Sequence, residues 1–380
     1  MARETMTPTE RMMAVQNLEK PDRVPVMPAV TNEANAPLTG HTQAEVCSDS
    51  KLALEICFEV FDSYGGWDSA ATVIMGPRAL QATGLYPMKI RIPGMDLPDD
   101  YVFQLLEEEI FKPEDYDKLY EMGFNGFYFQ DYLWRVATFR PDEMAGIIEE
   151  VKTYGALFMQ ESFKRNLAVT GSGFFMHPFF LLSLMRSMVK FTEDLYYNPD
   201  IVERVLQKLT NDVIEANIAL VRQTGLKGLC IVEERASAFY YPLSVFEKFW
   251  WPYTKQMVEV FWEEGIHTSF HLDTPWDKNL PYFKELPRGS YTLGLDSTTD
   301  IFAAKELLRG HGILFGDVSA SLLSIGTPQD VETYVKKLID EVGDDGGFML
   351  GVGCSAPSNI KPENLRALVE TGKNYEFSKT

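Results

Sequence analysis

The sequence predicts an α/β fold, a (β/α)8 barrel carrying an N-terminal extension and an inserted β-hairpin. Three observations point there. Short apolar runs alternate with amphipathic segments through the second half. The segments between runs are long enough for crossover helices, which parallel strands need. The chain of 380 residues suits one barrel with insertions, and no Pro/Gly-rich linker divides it, so 1–380 reads as a single domain.

Taken in order, Val24-Pro25-Val26-Met27 reads as an early strand, Lys51–Phe61 as a helix and Ala70–Ile74 as a strand. Met88 to Lys112 suits a hairpin, with Lys89-Ile90-Arg91-Ile92 and Tyr101–Leu105 flanking a turn near Gly94. Asn166–Thr170 is a further strand and Asp200–Thr224 a long helix. The regular strands follow at Leu229–Val232, Thr268–His271, Thr292–Leu295, Ile313–Phe315 and Phe348–Val352. Between the first two, Phe246, Phe249, Trp250, Tyr253, Met257 and Phe261 form one apolar helical stripe. Ser244 and Glu247 have the spacing of a capping box, and Pro252 should interrupt the helix. A further helix starts at Thr327-Pro328 and ends near Gly343.

Composition excludes several roles. A formal net charge of −20 repels phosphate backbones and anionic headgroups, so neither nucleic acid nor a membrane surface is expected as a partner; a basic protein face is compatible. The opening residues lack an apolar signal region, and the longest nearly apolar stretch, Phe174 to Met185, is too short to span a bilayer. Four cysteines without a framework spacing suggest reduced thiols and a cytoplasmic setting. Most of the 13% aromatic content and 16 methionines reads as ordinary core packing, and the remainder as a lining for a flat, apolar ligand. No phosphate-loop, dinucleotide-binding or nucleophile-elbow motif is present.

Barrel chemistry sits at the C-terminal ends of strands. The polar residues there are Glu233 and Glu234, His271 and Asp273, Asp296, Asp317, and Cys354. His271 and Asp273, two apart in extended chain, point to one side. Together with Cys354, which follows Gly351-Val352-Gly353, they form a candidate metal set; imidazole, carboxylate and thiolate suit zinc with an open position. His271, Asp273, Glu233 and Glu234 are the candidate catalytic groups, and periodicity does not decide which glutamate faces inward. Asn32, His177, Asp296 and Asp317 are candidate substrate contacts; each is equally readable as a structural group.

Several segments resemble the uroporphyrinogen-decarboxylase-like superfamily. They are Glu10-Arg11-Met12-Met13-Ala14-Val15 with Pro21-Asp22-Arg23-Val24-Pro25-Val26, then Phe191 to Tyr196 with Asn198-Pro199. The stretch from Pro242 through Phe246, Trp251, Pro252 and Tyr253 to His271, and Cys354 with Pro357, complete the set. Decarboxylases of that family carry arginines after the first strand to grip substrate carboxylates, whereas this chain reads Met27-Pro28-Ala29-Val30-Thr31-Asn32-Glu33. It looks more like the cobalamin-dependent methyltransferase branch. Thiol-methylating members use His-x-Cys and a distant Cys for zinc; here Asp273 stands at the middle position. The resemblance therefore implies O-demethylation: a methyl group moves from an aryl methyl ether to Co(I) of a separate corrinoid protein. Whether this chain holds zinc as a cofactor or no metal stays open, because Asp273 replaces a thiolate. The alternative that the resemblance implies is a methylcobamide-to-thiol methyltransferase of the same fold. Porphyrinogen decarboxylation and a non-catalytic binding barrel are the remaining readings. No D-x-H-x-x-G corrinoid motif occurs, so cobalamin must come with the partner.

Overall fold

A computed structural model describes residues 4–70 and 75–376. Its centre is a seven-stranded parallel sheet. In chain order the strands are β1 (Val26–Met27), β2 (Lys89–Arg91), β3 (Gln104–Leu106), β4 (Gly173–Met176), β5 (Gly228–Glu233), β6 (His267–Leu272), β7 (Tyr291–Leu295), β8 (Ile313–Val318) and β9 (Phe348–Val352). The sheet runs β1-β9-β8-β7-β6-β5-β4, and β2 pairs with β3 as an antiparallel hairpin.

The two edges of the sheet approach each other through a short bridge. Asp68 N–H donates to the Val26 carbonyl (2.8 Å), Ala168 N–H donates to the Asp68 carbonyl (2.9 Å), and Ser69 pairs with Ala168 in parallel. The expected strand at Ala70–Ile74 would extend this bridge, but 71–74 lie outside the described residues. The expected eight-stranded barrel is therefore seen as seven paired strands, curled and bridged in the manner of a TIM-type barrel. The strand expected at Asn166–Thr170 is only the bridge at Ala168, with paired structure beginning at Gly173.

Burial explains why the later strands were readable. β7, β8 and β9 are buried at every position, as strands covered on both faces must be, and appear as continuous apolar runs. β5 and β6 alternate instead: Leu229, Ile231 and Glu233, and Thr268, Phe270 and Leu272, are buried, while their neighbours are partly open. Register pairs Cys230 with Ser269 and Val232 with His271, so the partly open set shares one face, the barrel lumen. The helix Pro8–Gln16 sends Met12 and Val15 against Ile313, Phe315 and Met349, near the starts of β8 and β9, and so plugs the lower lumen.

The aromatic stripe behaves differently from the expectation of one kinked helix. Two helices form, Leu243–Phe249 and Trp251–Glu263, with Trp250 between them and Pro252 in the first turn of the second. A proline there loses no helical hydrogen bond, which is why the break falls just before it. Ser244 does not cap: the first helix begins after Pro242 without a side-chain cap. By contrast Thr327 and Asp330 make a full capping box for Pro328–Glu341. The other expected elements appear as Ser50–Ser63, the hairpin, and Pro199–Thr224, which ends on left-handed Gly225. Among the described residues no helix is long and apolar enough to cross a membrane, and all four cysteines are unpaired.

Candidate functional site

β6 carries the site. Its lumen-facing residues are His267, Ser269 and His271, with Asp273 just past its end. Alternation thus keeps His271 and Asp273 on one side, as their spacing predicts. Cys354 arrives from beyond β9. A Cβ at Gly353 would lie 2.7 Å from the Asp296 backbone, so only glycine lets this turn lie against the end of β7 and deliver the thiol.

The three side chains meet. His271 Nε2 is 3.4 Å from Cys354 Sγ and 3.3 Å from Asp273 Oδ1, and Cys354 Sγ is 3.8 Å from Asp273 Oδ2. One ligand atom from each lies within 4.8 Å of the others. Asp273 Oδ1 is buried and accepts no hydrogen bond despite its nearness to the imidazole. Two groups this close yet unaligned are disposed toward a common point rather than toward each other. That donor set, with one orphaned oxygen, fits a three-ligand metal centre with an open position. Burial opposes charge on His271, yet Asp273 and Cys354 hold its imidazole well above the ordinary histidine value.

The structure divides the two glutamates. Glu233 turns outward into the helical layer, fully buried. It accepts from Trp250 Nε1 (2.7 Å) and from the backbone N–H groups of Arg235 (2.8 Å) and Ala236 (3.1 Å). Burial pushes its carboxyl up to about 8 against the pull of those donors. Glu234 faces the mouth, where burial, then the Asp273 charge, push it up to about 7.

The remaining candidates do not join the cluster. His177 is wholly buried beneath the outer helices. Its Nδ1 accepts from Phe179 N–H (3.1 Å), so Nε2 donates to Thr254 Oγ1 (3.0 Å), which donates in turn to the Trp250 carbonyl (3.0 Å). Burial keeps this imidazole neutral, well below its ordinary value. Asp317 is buried and accepts from Tyr334 of the helix Pro328–Glu341 (2.8 Å); burial raises it to about 6. Asp296 borders the site but is engaged by the N–H groups of Thr274 (2.8 Å) and Thr298 (3.0 Å). Asn32 is buried at the start of the helix Asn32–Leu38, directly after β1.

Two residues that bear on the electrostatics of the cluster escaped the sequence reading. Burial raises the Tyr86 hydroxyl above the ordinary tyrosine value, and the charges of Glu234, Glu33, Cys354 and Asp273 raise it further. Tyr86 follows the short helix Pro77–Ala82 in irregular chain, where no periodicity marks a direction. Glu33 adjoins the Asn32 already singled out, and its carboxylate accepts from the Thr31 hydroxyl.

Six large rings serve the core outside the barrel. Trp250, Trp251, Phe246, Trp276, Tyr282 and Phe283 stack on one another in the layer outside β5 and β6, with ring centroids 5.0–6.3 Å apart. These rings cover the outer face of the sheet, because wide helix–sheet gaps are filled by large side chains.

Comparison with known proteins agrees with this architecture. The family model described as uroporphyrinogen decarboxylase (URO-D) matches residues 147–375, more than half of the chain. A protein named methylcobamide:CoM methyltransferase MtbA from Methanosarcina mazei is 28% identical over 220 residues, 58% of this chain and 62% of that protein. Its namesake from Methanosarcina acetivorans is 25% identical over 232 residues, 61% of this chain and 64% of that protein. A uroporphyrinogen decarboxylase from Helicobacter pylori is 25% identical over 188 residues, 49% of this chain and 52% of that protein. The matched part thus spans less than two thirds of each relative. A solved methyltransferase from Methanosarcina mazei superposes with a TM-score of 0.70 at 16% identity, covering 97% of this chain and 98% of that one, which establishes the likeness of fold. With its barrel, the position of its polar cluster and the extent of the match, the chain belongs to the uroporphyrinogen decarboxylase (URO-D) family.

Proposed function

We propose that this protein is a corrinoid-dependent methyltransferase that transfers a methyl group from a methylcobamide, carried by a separate corrinoid protein, to a small thiol. The observation that carries the reading is the meeting of His271, Asp273 and Cys354 at the barrel mouth. The two MtbA relatives support a cobamide as methyl donor and a thiol as acceptor. The absence of arginine from Met27 to Glu33 speaks against a polycarboxylate substrate.

His271, Asp273 and Cys354 would hold zinc, and zinc so bound would keep a thiol acceptor ionised at neutral pH. The protein's own groups do the rest. In the transfer the S–H bond breaks and a sulfur–carbon bond forms. The carbon–cobalt bond breaks with both electrons remaining on the cobalt of the partner's cobamide. Glu234, which no other side chain bonds among the described residues, takes the proton the thiol releases. The cluster and lumen wall hold sulfur in line with the incoming methyl, and this positioning is the larger contribution.

One observation favours a second reading, aryl methyl ether demethylation toward Co(I). Asp273 replaces a thiolate, and a carboxylate leaves a bound metal harder and better suited to polarise an ether oxygen. Phe246, Trp250 and Trp276 pack against one another outside the sheet and are not available to a methoxyarene.

The deciding experiment incubates the purified protein with a corrinoid protein and panels of thiols, methoxyarenes and methylamines. Loss of the methyl-Co(III) spectrum with a thiol is expected. Its appearance from Co(I) with a methoxyarene alone would replace the first reading by the second. Elemental analysis of the same sample tests for one zinc per chain.

A further inference from the structure

The lumen beneath the cluster is filled on one side only. Register carries the level of His271 across the barrel: His271 pairs with Gly294 on β7, Gly294 with Phe315 on β8, and Phe315 with Met349 on β9. Paired residues of neighbouring strands share a face, so all four face the lumen. Under β7 to β9 that face is closed, for Thr292, Gly294, Ile313, Phe315 and Met349 are all buried. Along β5 and β6 it stays partly open at Cys230, Val232, Ser269 and His271. On β4, Phe175 turns outward to Phe261 (ring centroids 6.3 Å apart), so its neighbour Phe174, paired with Cys230, faces the same open space.

The Phe315 ring makes the difference between the two sides. A Cβ at Gly294 would lie 3.2 Å from its Cδ1, and one at Gly351 would lie 2.6 Å from its Cζ. The ring thus occupies the space that side chains on β7 and β9 would otherwise take, just below the turn that delivers Cys354. Beneath, it packs in one cluster with Met12, Val15 and Ile313. Phe315 keeps 9% exposure where Met12 keeps 2% and Val15 and Ile313 keep 0%, so it is the surface that this plug turns toward the open space.

We infer that Phe315 is a specificity-determining residue of this site: its ring confines a substrate's tail to the β5–β6 side of the lumen and excludes a tail as broad as an aromatic ring. The inference rests on the methyl-transfer reading for the reacting sulfur beside His271, and it adds the shape of the rest of the molecule, a slim aliphatic thiol. A packed interior does not yield to an added ring, since displacing Phe315 would drive Met12 and Met349 out of the plug. Truncating Phe315 does the opposite. It opens an apolar space of ring size next to the site, and such a space takes up a phenyl group.

The test compares ethanethiol and phenylmethanethiol as acceptors from methylcobamide with the full-length protein. The parent should prefer ethanethiol by about tenfold or more in kcat/KM. Phe315→Ala should narrow that ratio by about fivefold or more, through a lower KM for phenylmethanethiol, and Phe315→Leu should narrow it less. Phe315→Leu keeps most of the packing and carries the test should the alanine variant unfold. Phe283→Ala, an equal truncation in the outer layer, should leave the ratio unchanged. Binding of the two products, ethyl methyl sulfide and benzyl methyl sulfide, is read by calorimetry without turnover and should shift in the same sense. A binding ratio unchanged in both Phe315 variants, an equal shift in Phe283→Ala, or no binding of benzyl methyl sulfide to either Phe315 variant would overturn the inference. A shifted binding ratio without turnover of either thiol would remove the methyl-transfer reading and leave Phe315 in its role. Turnover of ethanethiol with an unshifted ratio would do the reverse.

Discussion

Trp250 Nε1 donates to Glu233 Oε2 at 2.7 Å, and this bond fixes Glu233 in the helical layer while its neighbour Glu234 faces the mouth. Adjacent residues in extended chain point to opposite faces, so the two glutamates meet different surroundings. Glu233→Ala would strand the indole N–H and two backbone N–H groups in a dry layer. A loss of about 2–4 kcal/mol in stability is expected, read by thermal or denaturant unfolding. Glu234→Ala should change stability by less than about 1 kcal/mol while lowering methyl transfer. Equal destabilisation by the two variants would contradict this division.

Removing the imidazole at the triad should separate chemistry from folding. His271→Ala is expected to abolish methyl transfer and to drop zinc below stoichiometric content, with an unfolding curve close to that of the parent. Cys354→Ser should do the same less completely. Asp273→Cys restores a second thiolate and is expected to raise activity toward thiols relative to ethers. Unchanged turnover in His271→Ala would detach the cluster from the reaction.

The base of the barrel depends on one buried carboxylate. Asp68 accepts from Arg11 Nη1 (2.5 Å), Arg23 Nη1 (2.6 Å) and the Val26 N–H (2.8 Å), tying the N-terminal helix to β1 and to the bridge that closes the sheet. Asp68→Ala leaves two guanidinium groups facing each other without their shared acceptor. About 3–5 kcal/mol should be lost, the cost of breaking a buried pair from one side. Protease susceptibility of the N-terminal helix Pro8–Gln16 should rise with it.

Acid should destabilise the fold through its neutral histidines. His267, held by Thr292 in the lumen, is pushed down to about 4 by burial, and His177 is depressed as well. A depressed histidine binds fewer protons folded than unfolded. Its contribution is therefore intact above the ordinary value near 6.5 and is lost as pH falls toward 4. Glu233 and Asp317, raised to about 8 and about 6, have the opposite sign: their contribution is full below the ordinary carboxylate range and is lost as pH rises. The histidine component is isolated by His267→Asn, which should flatten the fall in stability between pH 6.5 and 4 by about 2 kcal/mol. An unaltered acid limb in that variant would show that His267 does not titrate in this window.

The sequence alone determined the parallel βα rhythm of the second half. Strands buried on both faces must be nearly continuous apolar runs, and β7 to β9 are. It also placed His271 and Asp273 on one side, because a two-residue spacing in extended chain admits no other outcome, and it put Cys354 at a glycine-flanked strand end. Tertiary structure decided what periodicity leaves open. Which of Glu233 and Glu234 faces the lumen depended on where Trp250 lies, and Trp250 comes from a separate helical segment. Trp250, Trp251, Trp276 and Phe283 went to the outer layer, where the gap between sheet and helices takes large side chains. Local spacing fixes the side on which a residue emerges; only the packing of distant segments fixes what it meets there.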